Sequence, residues 1–311
     1  MSRSSSAILR AAKPPLMRAA AAAVIVPALM AASGLALAET KTPAAGKLSA
    51  IPAAKQEPAA PPLQPGSTWE DLKADILGDQ APADGSGIIS VGAPYRANDA
   101  ATVPIVLSQP SAAAPRILSA KLIIDENPAP VAATLTFGAA MHPLDMELRV
   151  RVNQYSNVRL VADTEQGPVM TGRFVKASGG CSAPATRDPQ LALSTMGEIR
   201  VRNFPQAGTA AAMSTPEGQR RETQVMIRHP NYSGLQRDQI TQLFIAAHFI
   251  DKLDVYQGDD LLFSMEGGIS ISENPVFRFS YTDNGSPDLK VHVEDTEGNS
   301  WEKTLPKQVE G

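Results

Sequence analysis

This sequence predicts an all-β fold, two antiparallel β-sandwich domains in series, and three observations predict it. Short segments alternate apolar and polar residues with a period of two, Met146-Glu147-Leu148-Arg149-Val150-Arg151-Val152 being the clearest. Turn-forming clusters separate them: Asp84-Gly85, Gln109-Pro110, Glu126-Asn127-Pro128 and Gln166-Gly167-Pro168, then Gln257-Gly258-Asp259, Asp283-Asn284-Gly285 and Glu297-Gly298-Asn299. The series also restarts after an irregular stretch that ends near Met196, which makes two sets of strands rather than one.

Taken in order, residues 1–38 have the layout of a signal peptide. Arg3, Arg10, Lys13 and Arg18 precede an apolar run from Ala19 to Leu37, and Ala36-Leu37-Ala38 supplies a small-x-small cleavage site. Pro27, Ser33 and Gly34 interrupt that run, which favours cleavage after Ala38 over a retained anchor and points to a periplasmic protein without stable membrane insertion. Residues 39–65 are rich in Ala and Pro and form a mobile spacer, because they hold too few large apolar groups to bury. Thr68 and Asp71 stand as the N-terminal cap of a short helix carrying Leu72, Ile76 and Leu77, and Gly78 ends it. The first sandwich, within 66–176, takes its strands from Ile88–Val91, Val103–Leu107, Ile117–Ile124, Val131–Phe137, Met146–Val152, Val158–Ala162 and Val169–Val175. A linker follows over 177–195, and the second sandwich, 196–311, includes Glu198–Arg202, Phe277–Tyr281 and Leu289–Glu294.

Cys181 is the only cysteine among 311 residues and sits in Ala177-Ser178-Gly179-Gly180-Cys181-Ser182-Ala183-Pro184. Exported proteins generally use cysteines in pairs, so a single one points to a reactive thiol or an intermolecular bridge. The small residues around it predict an exposed thiol on a flexible loop, and Lys176, Arg173 and Arg187 are the nearby charges that could favour the thiolate. A net charge of −4 without a basic patch speaks against a nucleic-acid partner. The four histidines, His142, His229, His248 and His292, have no metal-ligand spacing, and His248 beside Phe249 and Ile250 reads as a hydrogen-bonded packing residue. No catalytic constellation, metal site or cofactor motif is legible, and without a second cysteine a thiol redox enzyme is disfavoured.

The segments Asn127-Pro128-Ala129-Pro130-Val131-Ala132 and Phe174-Val175-Lys176, the latter running into Gly179-Gly180-Cys181, resemble SoxY of the bacterial sulfur-oxidation system. Ile227-Arg228-His229-Pro230, Gly234-Leu235-Gln236-Arg237-Asp238, Ala246-Ala247-His248-Phe249-Ile250 and Ser272-Glu273-Asn274-Pro275-Val276-Phe277-Arg278-Phe279 resemble SoxZ. The whole is similar to a fused SoxYZ-like carrier of the type associated with quinoprotein (pyrroloquinoline quinone) dehydrogenases. The resemblance implies two immunoglobulin-like sandwiches that pair with each other. It also implies that Cys181 bears a sulfur intermediate covalently, with Gly179 and Gly180 as its hinge and no other cofactor. Periplasmic Sox-type enzymes, or a quinoprotein dehydrogenase and its cytochrome, would be the partners. The alternative is a docking or assembly module for such a dehydrogenase, with Cys181 incidental.

Overall fold

Strand pairing runs across the middle of the chain, so the two halves are joined by hydrogen-bonded sheet as well as by the linker. The structure is a computed structural model and describes residues 62–184, 189–204 and 218–307. The expected signal peptide, nearly all of the spacer and Arg187 lie outside the described residues.

The first half contains α1 (Ser67–Leu77) and strands β1 (Ala83–Asp84), β2 (Ser90–Gly92), β3 (Val103–Ser108), β4 (Ile117–Ile124), β5 (Val131–Phe137), β6 (Asp145–Val150), β7 (Ser156–Thr164) and β8 (Gly167–Val175). The second half contains α2 (Pro189–Ser194) and β9 (Ile199–Phe204), β10 (Arg220–Ile227), β11 (Ile250–Gln257), β12 (Asp260–Gly267), β13 (Val276–Thr282), β14 (Asp288–Asp295) and β15 (Ser300–Pro306). One sheet runs β1-β8-β7-β4-β5-β12-β11-β14-β15 and the other β2-β3-β6-β13-β10-β9. Each half is thus a two-sheet sandwich, as the alternation predicts, and each sheet continues from one half into the other.

The joins are β5 against β12, with Phe137 opposite Phe263 and Leu135 opposite Met265, and β6 against β13, with Met146 opposite Phe279. Inward-facing residues on both sides build one apolar core, including Leu135 and Leu148 from the first half and Phe263, Phe279 and Val291 from the second. Phe263 and Phe279 meet edge to face at 5.1 Å, a favoured aromatic geometry.

The helix differs from expectation at its start. Gly66 occupies the N-cap position and no side chain caps it, so Thr68 does not serve that role, whereas Gly78 does end the helix at φ 58°. Trp69 packs with Ile123 and Val161 on the outer face of the large sheet, and Arg159, paired with Asp125 at 2.8 Å, lies over the Trp69 ring. That cover buries β7 on both faces, which is why its sequence alternates poorly. The chain is already tied down at Gln64, whose backbone N–H and C=O both bond the Asn157 side chain.

Candidate functional site

The Gly-Gly-Cys segment leaves the end of β8 and lies in the junction between the halves. Val175 and Ala177 anchor it in the apolar core, and Lys176 pairs with the backbone of Tyr95 and Ala97. Beyond Ala177 the partners are polar. The Gly179 N–H donates to the Asn153 carbonyl at 2.8 Å, and the Gly180 N–H to the Val152 carbonyl at 3.0 Å. Gly179 takes the left-handed conformation at φ 78°, which turns the chain into one tight helical turn over Gly180–Ser182. A Cβ on Gly180 would fall 2.1 Å from the Ala100 carbonyl oxygen and 2.7 Å from that of Val152, so only glycine fits here.

The second half closes over this turn with the connection 228–249, between β10 and β11. The Ser233 hydroxyl donates to the Cys181 carbonyl, and Gln236 Nε2 donates to the Ala183 carbonyl at 3.0 Å. Ser233 and Gln236 are themselves buried and joined by a bond from the Ser233 N–H to Gln236 Oε1. Arg151, just past β6, sends Nη1 to the Gly180 carbonyl at 3.3 Å and Nη2 to the Asn231 carbonyl at 3.2 Å, linking both halves to the turn. Asn127, from the Asn-Pro motif, supports this strand end. Its Nδ2 donates to the Arg151 carbonyl and to Ser270 Oγ, and its Oδ1 accepts from the Asn153 N–H.

The structure therefore corrects the expectation of an exposed thiol: Cys181 is 0% exposed. The neighbours of Cys181 along the chain are small, but its cover comes from residues far away in sequence. Cys181 counts among the buried apolar residues, while the turn that carries it is held to both halves by main-chain hydrogen bonds. Burial pushes its pKa from 9.0 to about 11, with Arg151 pulling the other way, so the seated thiol is protonated and unreactive at neutral pH. Arg151, which sequence reasoning missed as a charge near the thiol, is the cation that acts on it. Lys176 instead lies 4.8 Å over the Tyr95 ring, and Arg173 donates to the Gly172 carbonyl.

A second cluster stands in the same half as the clamp. His229, His248 and Asp295 place their ligand-capable atoms within 4.8 Å of one another, a grouping that no short motif announces. The Asn231 N–H donates to His229 Nδ1 at 3.0 Å, which leaves the proton on Nε2, facing Asp295 Oδ2 at 3.3 Å. His248 Nε2 meets the same oxygen at 2.6 Å, in keeping with the packing role expected for it. Burial would raise the Asp295 pKa, but hydrogen bonds from Asn299, His248 and His229 outweigh it and hold the carboxyl at about 2. Burial keeps His229 below the ordinary histidine range. A metal at this point would need the Nε2 position that the Asn231 bond fills with a proton. The donor set fits a hydrogen-bonded brace better, and it fixes Asn231, whose carbonyl receives Arg151. His142 is bonded to Gln109 and Ala112, and His292 to Glu294, and neither belongs to this cluster.

Comparison with known proteins agrees with this division. A family model described as sulfur oxidation protein SoxY matches residues 73–181, ending at Cys181, and one described as sulphur oxidation protein SoxZ matches residues 211–306. Among solved structures, the sulfur carrier protein SoxY from Chlorobium limicola f thiosulfatophilum is 23% identical, with a TM-score of 0.31, covering 36% of this chain and 92% of that chain. A search of curated proteins found no match. The chain belongs to the SoxY and SoxZ sulfur-oxidation families, with one domain of each fused in a single polypeptide.

Proposed function

We propose that this protein is a periplasmic carrier, not itself an enzyme, which holds a sulfur intermediate on Cys181 and presents it to partner enzymes. The observation that carries this reading is that the SoxY match ends on the chain's one cysteine, in a turn that hydrogen bonds hold between the two halves. Each such bond contributes about 0.5–1.5 kcal/mol net, so the turn can be released into water while the sheets stay intact. Gly179, in its left-handed conformation, supports the hinge assignment, and Gly180 serves the close seat.

Carriage also defines the partners. Joining Cys181 to a sulfur nucleophile through an S–S bond removes two electrons and releases the thiol proton. With a single cysteine the chain cannot form an internal disulfide to accept those electrons, so the acceptor belongs to a partner such as a cytochrome. A Sox-type enzyme or the cytochrome of a quinoprotein dehydrogenase meets that requirement. The test is replacement in the native host: Cys181→Ser is expected to abolish sulfur-compound oxidation that depends on this protein while leaving its fold unchanged.

A second reading, a docking module in which the thiol is incidental, is favoured by two observations. The thiol is sealed, and Ile240, Leu243 and Phe244 on the 228–249 connection are exposed by 93%, 69% and 61%. Full activity of Cys181→Ser would select it.

A further inference from the structure

Arg151 is 1% exposed, and its named hydrogen bonds go to two main-chain carbonyls, those of Gly180 and Asn231. Its Nε–H is enclosed and has no hydrogen-bond partner. Among the described residues, the only other buried side-chain polar atom in that position is the Tyr281 hydroxyl, in the core of the second half. An idle donor on a buried guanidinium costs free energy, and a neutral alternative of similar shape would avoid it. The donor lies on the group that holds the Gly180–Cys181 turn, and the negative charges that act on Arg151 are those of Glu273 and Asp99, joined by Cys181 only when its thiol ionises.

We propose that Arg151 reads the charge of the group carried by Cys181, its spare Nε–H being the donor for an anionic sulfur cargo when the loaded turn returns to its seat. This rests on the carrier reading and adds a selectivity to it: a cargo that ends in a negative charge is held in the junction, and a neutral one is not. Cys181 is fully buried as it stands, so seating a cargo on its sulfur requires the Ser182–Pro184 side to move outward. That side borders a cavity of about 400 Å³, lined by Ser182, Pro184, Leu235 and Arg237 among others, into which the displaced turn can extend.

The test compares two caps on the full chain. Tetrathionate supplies an anionic one: the Cys181 thiolate attacks a central sulfur, an S–S bond forms to Cys181, the central S–S bond breaks, and thiosulfate leaves with the electron pair. Methyl methanethiosulfonate supplies a neutral methyl disulfide, with methanesulfinate leaving. Both caps are installed in urea before the protein is returned to buffer, so that loading does not depend on native opening. Hydrogen exchange of the amides of Gly179, Gly180 and Ser182 then reports seating. The expected result is exchange at least tenfold slower with the anionic cap, together with a downfield shift of the Arg151 Nε–H resonance that the neutral cap does not produce. Arg151→Gln is expected to remove the difference between the caps, and Arg151→Lys to restore part of it. Equal exchange for the two caps in the unmutated chain would overturn the proposal even if Arg151→Gln failed to fold, as would an undiminished difference in a folded Arg151→Gln. The carrier reading fails separately, if protein from the native host bears no adduct.

Discussion

The halves of this protein meet in two places built on opposite principles. Where β5 meets β12 and β6 meets β13, the contact is continuous sheet over an apolar core, with Phe137, Met146, Met265 and Phe279 in register across it. Where the Cys181 turn meets the 228–249 connection, the contact is a set of hydrogen bonds to main-chain carbonyls from Arg151, Ser233 and Gln236. Removing the first from contact exposes apolar surface and unfilled ladder groups. Releasing the second exchanges protein hydrogen bonds for water, at small net cost. One contact keeps the halves together, and the other can open while it does so.

The largest expected effect belongs to the sheet contact. Phe279→Ala, which removes a ring that is 1% exposed, is expected to cost about 3–5 kcal/mol in urea unfolding. The reactivity of Cys181 in the folded state should change little. A rise in reactivity matching the lost stability would show that the two contacts open as one and would break the comparison.

An intermediate effect is expected at the turn. Because the seated thiol has its pKa raised to about 11, it favours the seated state fully below pH 9.0, and that preference is lost as pH rises towards 11. The rate of modification by a thiol reagent should therefore keep rising above pH 9.0 instead of levelling there. In Gly180→Ala the added methyl meets the Ala100 carbonyl and unseats the turn. Modification at pH 8 is expected to be at least tenfold faster, about 1.4 kcal/mol, with a pH profile returned to that of an ordinary thiol. An unchanged profile would show that burial does not control the thiol.

The smallest effect sharpens the contrast. Gln236→Ala removes the clamp's bond to the Ala183 carbonyl, along with the bond from the Ser233 N–H that lies within the 228–249 connection, and is expected to ease local opening by about 0.5–1.5 kcal/mol. Hydrogen exchange near Cys181 should quicken while the amides of β12 and β13 stay protected.

Much of the fold was legible where alternation is clean. The predicted runs at Ile117–Ile124 and Val131–Phe137 coincide with β4 and β5, and Phe277–Tyr281 lies within β13. β11 and β12 were not read, because the register of β11 shifts between Ile250 and Lys252 and again between Val255 and Tyr256, and such bulges spoil a period of two. Pairing of β5 with β12 left no local trace, since it depends on edges far apart in sequence. At the site, the Gly-Gly-Cys motif and its position between two domains were legible, but its burial was not. Ser233 and Gln236 act through main-chain carbonyls, which any sequence offers, and Arg151 stood as one more residue in an alternating strand. The grouping of His229, His248 and Asp295 likewise comes from tertiary contact alone.

The central claim is that Cys181 carries sulfur, and the intact mass of the protein purified from its native host tests it most directly. The account predicts species heavier by sulfur-containing groups that map to the Cys181 peptide and vanish on reduction. A single unmodified mass, the same before and after reductant in cells oxidising sulfur compounds, would contradict it.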